Sequence, residues 1–489
     1  MTLGGVRLRL EARRATHRPS VGLTLDGVLA DELASVTGPV VLKHYSGTRR
    51  WFGKPGCDDD LACAADGASF PCVTSCACRC DDVVCDCAFD GLEAAMQVDA
   101  LAAAERISRG APATRKAELD QAPERVRLHW VFKRSLGGSG NCAVVGELDV
   151  SPATWAAFFG RAVHAAAVIN ARVGYRLIDV LSPMNEANHP LQDGAHHNAA
   201  GQPMLGGFIS FVDLIRQASC GAQGCCAPDR YIVPAPDVPA LLAAAMAAAH
   251  DALSTIDPAI APRVALSLYL DTEQRDPLQL VDGVAPSIVT PVGPFMRTFG
   301  AALAGRAFPD ALVVVDTYPG SWGAPWFETD DGIVHHVDPT TRHVRRVDPV
   351  AAADAAIART LAARDDIAAV TGTAPDMLLG EVGWSTFDGD EAAQVAFVER
   401  LFDGMAATPE IEGFIWFKSN DRATFEFPTW DTAPNPLGGD DVACDAPLLG
   451  PILCAADVLA KMEGQWGLRR VDGTAKPAWG AFLRRWSLR

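Results

Sequence analysis

No stretch of about eighteen uncharged apolar residues occurs in the chain, so nothing in it reads as a membrane span. Basic charge is also short: 42 Lys and Arg stand against 60 Asp and Glu, for a formal net charge of −18. The cations are scattered rather than gathered into a stripe, and such a surface repels phosphate backbones, which argues against nucleic acid as a partner. No Gly-x-Gly-x-x-Gly follows a strand-like segment and no Walker-type phosphate loop is present, which removes the usual nucleotide hypotheses. Residues 1–15 alternate Leu with Arg and Glu and lack the apolar core of a secretory leader. The expectation from that segment is an intracellular protein or one whose leader has been removed.

Cysteine points the other way. Of 14 in the chain, eight fall between Cys57 and Cys87, in a segment rich in Asp and Gly. An even, clustered count suggests a disulfide-stapled insert at residues 57–88 and favours an extracytoplasmic or secreted setting. No Cys-x-x-Cys pair occurs, yet the Cys-x-Cys steps at Cys76, Cys78 and Cys80 and at Cys85 and Cys87 leave a soft metal as one alternative and loosely ordered free thiols as another. Cys444 and Cys454 form a second plausible local bridge. The compartment therefore stays open.

Strand-like and helix-like segments alternate along almost the whole length, the signature of βα units with a parallel sheet. Eight strands are predicted, at 21–25, 40–45, 126–132, 178–182, 264–270, 312–317, 377–380 and 413–417. Ala- and Leu-rich helices are predicted at 92–107, 154–171, 238–253, 351–363 and 391–405. Eight repeats suit an α/β fold of the (β/α)8 TIM-barrel kind, a single domain over residues 1–489. Long insertions follow strands on the face that builds active sites in such barrels: the Cys-rich segment after strand two, residues 188–235 after strand four, and 424–451 after strand eight. A monomer is the default.

Two short segments carry the chemistry. Ser182-Pro183-Met184-Asn185-Glu186 and Leu378-Leu379-Gly380-Glu381-Val382-Gly383-Trp384 each read as an apolar strand ending in a glutamate. The ends of strands four and seven lie across a barrel mouth from one another, so Glu186 and Glu381 can flank one glycosidic bond, with one protonating the leaving oxygen and the other attacking the sugar carbon. His196-His197 and His335-His336 lack helical ligand spacing, and neither a metal nor a cofactor is expected. The chain has 11 Trp and only 5 Tyr. Tryptophans past the strands suggest stacking platforms for sugar rings.

On these motifs the chain resembles the large clan of retaining β-glycosidases on the (β/α)8 barrel, clan A of the glycoside hydrolases. Its nearest look is to the β-1,3-glucanase family, through Glu381-Val382-Gly383-Trp384. The stretch Glu463-Gly464-Gln465-Trp466-Gly467-Leu468, followed by Asp472-Gly473-Thr474-Ala475-Lys476-Pro477, is similar to the final strand and tail that many members place before their last helix. The resemblance implies a retaining hydrolase acting on a polysaccharide or oligosaccharide, with Glu186 as acid/base and Glu381 as nucleophile. It further implies Asn185 on the sugar 2-hydroxyl and Tyr318 touching the nucleophile. Trp416, read as alternating inward with Phe414 and Lys418, is expected to floor the ring. Trp384, Lys418, His129 and Tyr45 are further substrate-binding candidates. Another β-linkage (mannan, galactan, xylan), transglycosylation, and an inactive carbohydrate-binding barrel are the alternatives.

Overall fold

The computed structural model describes residues 20–24, 40–47, 92–94, 96–98, 100, 126–133, 152–189, 238–272, 289–306, 312–319, 327–328, 334–337, 344–345, 348–386, 389–421 and 464–487. The Cys-rich insert, all 14 cysteines, residues 190–235 and 424–451 lie outside these.

Eight parallel strands close into a barrel: β1 (Ser20–Thr24), β2 (Val40–Gly47), β3 (Val126–Lys133), β4 (Ile178–Ser182), β5 (Arg263–Tyr269), β6 (Leu312–Asp316), β10 (Asp376–Val382) and β11 (Ile411–Trp416). Strand β1 pairs with β11 on one side and β2 on the other, which removes both sheet edges. A small antiparallel sheet, β7 (Phe327–Glu328), β8 (Val334–Val337) and β9 (Val344–Arg345), follows β6 and contains His335 and His336. Among the described residues the longer helices are α1 (Pro152–Val173), α2 (Val238–Leu253), α3 (Val292–Leu303), α4 (Pro349–Thr371), α5 (Glu391–Ala407) and α6 (Pro477–Ser487). None of them is long and apolar enough to cross a membrane.

Each predicted strand is present, with no end shifted by more than about two residues. Local chemistry sets the helix ends. Asp348 caps α4 by accepting from the Val350 and Ala351 amides, 3.0 and 2.9 Å away, with Pro349 in the first turn and Gly372 closing it at φ 76°. Helix α3 escapes a propensity reading because Pro294, Gly293 and Gly300 interrupt it.

The strands bury both faces. Outward residues join the helices in one apolar shell, in which Phe402, Phe414 and Phe482 meet edge to face. Burying each such ring contributes about 1.5–3 kcal/mol. Inside, Val41, Val180, Ala265, Leu312, Val314, Leu378 and Ile415 form a central plug. Near the strand starts the interior is ionic: Arg263 reaches Asp179 at 2.9 Å and Glu412 at 2.5 Å, and Arg127 stands 3.7 Å from Asp179. Burial alone would lower the pKa of the Arg263 guanidinium, but the two carboxylates more than offset this and raise it. Further along, the inward positions turn polar again, with Lys43, His129, Ser182, Ser267, Asp316 and Glu381. The apolar plug thus separates an ionic base from the polar layer that carries the site.

Candidate active site at the barrel mouth

Glu381 sits near the end of β10, after a register shift against β6 between Leu379 and Glu381. Its Oε1 accepts from Lys43 Nζ at 2.7 Å, and its Oε2 accepts from the Tyr318 hydroxyl. With both oxygens engaged, the carboxylate has a fixed orientation. Lys43 also donates to both oxygens of Asp316, at 3.2 and 3.0 Å. Burial would lower the pKa of this ammonium, but attraction to Asp316 and Glu381 and the bonds to them leave it above the ordinary lysine value. Room for the triad comes from Gly380, where a Cβ would stand 2.1 Å from Val314 Cγ1 and 2.8 Å from Asp316 Oδ1.

Tyr318 is held from behind. Its amide donates to Asp271 Oδ2 at 2.7 Å, Thr317 donates its hydroxyl to Asp271 Oδ1, and Arg359 of α4 closes on the same oxygen at 2.8 Å. Helix α4 therefore fixes the tyrosine that fixes Glu381.

Glu186 enters from the turn after β4 with φ 44°, a left-handed conformation that a bulky residue rarely adopts. The turn is over-determined. Its amide donates to Ser267 Oγ at 3.1 Å, and the Ala187 amide donates to the Ser267 carbonyl at 2.8 Å. Asn188 donates to the carbonyls of Tyr269 and Thr290 at 2.8 and 2.7 Å, and accepts from the Tyr269 amide at 2.7 Å. These bonds offset the cost of about 1–3 kcal/mol that such a backbone carries. As a result, one carboxylate oxygen from each of Glu186, Asp316 and Glu381 lies within 4.8 Å of the others. Retaining glycosidases hold their carboxyl groups about 5–5.5 Å apart, and inverting ones leave about 6.5–9.5 Å.

The other expected site residues divide. Asn185, only 3% exposed, adjoins Glu186, and its Oδ1 has no hydrogen-bond partner among the described residues. Tyr45 is half-buried on β2 with its ring 5.3 Å from Lys43 Nζ. Lys418 is buried, its Nζ 4.5 Å from the centre of the Phe417 ring. His129 is wholly buried in the barrel interior, its Nε2 hydrogen-bonded to Ser182 Oγ at 3.0 Å. Burial, then the charges of Lys43 and Arg263, push its pKa well below the usual imidazole value, so it is neutral at physiological pH. Its role is to fill the interior rather than to present a nitrogen at the mouth.

Two tryptophan assignments are corrected. Trp416 does not face inward: it packs in the outer shell against Phe397 and Phe482 and donates its indole N–H to the Trp466 carbonyl at 3.2 Å. Trp384 is buried in the same shell, 5.6 Å from Phe397. Neither indole is open to a sugar ring. Just past β11 the inward aromatic is Phe417, part-exposed, edge-on to Tyr318 at 5.7 Å and backed by Trp466. Strand parity carries the signal, because Ile415 lies in the central plug and the next inward position is Phe417. The same parity from Val41 singles out Lys43, whereas its neighbour His44 packs against the Trp130 ring at 4.3 Å. Parity from Val314 likewise finds Asp316.

The segment at 464–476 is held by isolated bridges and side-chain bonds rather than by a strand. Buried Lys476 donates to Thr386 Oγ1 at 2.7 Å and to Asp421 at 2.8 Å, and Gln394 donates to the carbonyls of Trp384 and Gly467. Glycine at 383 is required for close approach, since a Cβ there would stand 2.6 Å from the Phe417 carbonyl and 3.1 Å from the Trp466 ring.

No protein-family model matches the chain, and no curated protein matches it. Among solved structures it is similar to one described as two fungal β-1,4-galactanases, with a TM-score of 0.42 and 9% identity, covering 95% of this chain and 99% of that one. It is also similar to an exo-β-1,4-mannosidase from Opitutaceae bacterium strain TAV5, with a TM-score of 0.41 and 11% identity over 96% of this chain and 59% of that one. A family 39 glycoside hydrolase from the gut symbiont Bacteroides cellulosilyticus WH2 gives a TM-score of 0.39 and 11% identity, with 96% of this chain and 64% of that chain covered. This chain thus spans less than two thirds of the length of the latter two.

Proposed function

We propose that the protein is a retaining glycoside hydrolase that cleaves a β-linked polysaccharide or oligosaccharide by double displacement. The observation that carries this reading is the placement of Glu186 and Glu381 oxygens within 4.8 Å at the end of the barrel where the strands terminate. In this reading Glu381, aimed by Lys43 and Tyr318, attacks the anomeric carbon and forms a glycosyl ester. Glu186 gives its proton to the leaving oxygen, then takes one from the water that hydrolyses the ester. Asn185 offers its side-chain amide to the 2-hydroxyl, a bond that strengthens as positive charge builds on the ring. Phe417 supplies the apolar floor, with Lys418 beside it and Tyr45 next to Lys43. β-1,3-Glucan is the first substrate to try, on the Glu-x-Gly-Trp pattern at Glu381 alone.

The test is hydrolysis of β-glucans, β-mannan, β-galactan and xylan by the wild type, Glu381→Ala and Glu186→Ala, following the anomeric configuration of the released ends. Retained configuration lost in Glu381→Ala, with azide rescue of Glu186→Ala on an activated substrate, is the expected result. Inverted products would overturn the nucleophile assignment. A wild type that binds glycans but cleaves none would leave a carbohydrate-binding barrel.

A further inference from the structure

The site holds one carboxyl group more than double displacement uses. Asp316 is fully buried on the inward face of β6, with an oxygen within 4.8 Å of both Glu186 and Glu381. It faces Lys43 from β2, Glu186 from the turn after β4, and Glu381 from β10, with Tyr318 two residues on; His129 lies on β3 within the field of Lys43, and Asp271 and Arg359 pair behind Thr317. His129 is neutral, and among the described residues Lys43 is the cation paired with Asp316 and Glu381. Two carboxyl groups therefore share this ammonium, which bonds Asp316 twice and Glu381 once, and a Glu186 oxygen lies within 4.8 Å of an oxygen of each. Like charges this close make full ionisation of the set costly. Gly380 keeps the pair of Asp316 and Lys43 in place, because any larger residue there would displace it.

We propose that Asp316 is a positioning residue that, clamped by Lys43, keeps the exchangeable proton of the three-carboxyl cluster on Glu186. The inference rests on the hydrolase reading and extends it: the acid is charged with its proton by a third carboxylate as well as by the nucleophile. Asp316 touches no substrate in this scheme. Its negative charge makes ionisation of Glu186 costly, and its bonds to Lys43 temper the pull that the ammonium would otherwise exert on Glu186.

The experiment uses the full chain and two readouts. The first is the alkaline limb of kcat/KM against pH on a substrate that the wild type cleaves. The second is the titration midpoint of Glu186, followed by carbon NMR with labelled glutamate and assigned by its loss in Glu186→Gln. Asp316→Asn is isosteric and removes one negative charge, so both the limb and the midpoint are expected to move acidward by about one to two units. Asp316→Glu keeps the charge and is expected to hold the wild-type limb. Lys43→Met removes the positive charge and is expected to move both readouts the other way. A merely structural Asp316 would lower kcat in a folded Asp316→Asn variant without moving either readout, and that result would overturn the proposal. If Asp316→Asn fails to fold, an alkaline limb and midpoint unmoved in Lys43→Met do the same. A wild type silent on every glycan brings down the hydrolase reading, whereas an active wild type with unmoved variants brings down this inference alone.

Discussion

Replacing Gly380 with alanine tests the packing argument at its narrowest point. The added methyl would stand 2.1 Å from Val314 Cγ1 and 2.8 Å from Asp316 Oδ1, where ordinary contact begins at 3.4 Å. Val314 lies in the central plug and must retreat by more than an ångström against buried neighbours. Overpacking of this kind costs about 1–3 kcal/mol. Alanine also restricts the unfolded chain, which returns about 0.4–1 kcal/mol. A net loss of about 1 kcal/mol is expected, read as a lower denaturation midpoint or a drop in Tm of roughly 1 °C in a chain of 489 residues. Activity should suffer more than stability, because the second contact pushes Asp316 away from Lys43. Loss of about 1.4 kcal/mol of transition-state stabilisation is tenfold in kcat/KM, and at least that is expected. Gly300→Ala in α3 is the control: its new methyl meets nothing closer than Val370 at 3.8 Å, and stability should rise by up to about 1 kcal/mol. A Gly380→Ala protein with wild-type midpoint and wild-type kcat/KM would refute the account of the interior.

Asn188→Ala should cost about 2–4 kcal/mol, since it strands the Tyr269 amide and two carbonyls; kcat should fall with it, because the turn bearing Glu186 loses its clamp, and chemical denaturation beside steady-state kinetics checks both. His129 supplies a pH dependence: its pKa is depressed on folding, so the unfolded chain binds its proton first, and stability is lost as pH falls below about 6.5. Between that pH and the depressed folded value the slope should be about 1.4 kcal/mol per unit, and His129→Gln should flatten it in melts between pH 4.5 and 7. Phe417→Ala should raise KM or lower kcat for a glycan substrate, while Trp416→Ala should instead cost about 3–5 kcal/mol of stability. Equal loss of stability in the two variants would contradict the assignment of their faces.

The barrel was legible because the strands are short, largely apolar runs bounded by breaks in pattern, and both faces of a parallel strand are apolar. That same feature hid the direction of individual side chains. In Gly413-Phe414-Ile415-Trp416-Phe417 every residue is apolar or glycine, so composition does not say which alternate set faces the barrel interior, and size alone favours Trp416. Glu186, Glu381 and Tyr318 can be singled out in the sequence because they stand at strand ends with distinctive neighbours. Lys43 and Asp316 were missed because each is a lone charge within a strand, and only the closed barrel brings residues 273 apart in sequence into contact. Pro294 and its glycines masked α3, where tertiary packing of Phe295 and Phe299 overrides weak propensity.

The bridged segment at 464–476 has a consequence in time. Trp466 backs both Tyr318 and Phe417, yet it follows all eight barrel strands in the chain. On a ribosome the strands emerge first and can begin to associate while the rear wall of the mouth is still unmade. Lys476 and Gln394 then fasten the late segment to strand ends already in place. The pocket is thus finished from outside by a latch rather than by closure of the sheet, so that a barrel can be complete before its chemistry is.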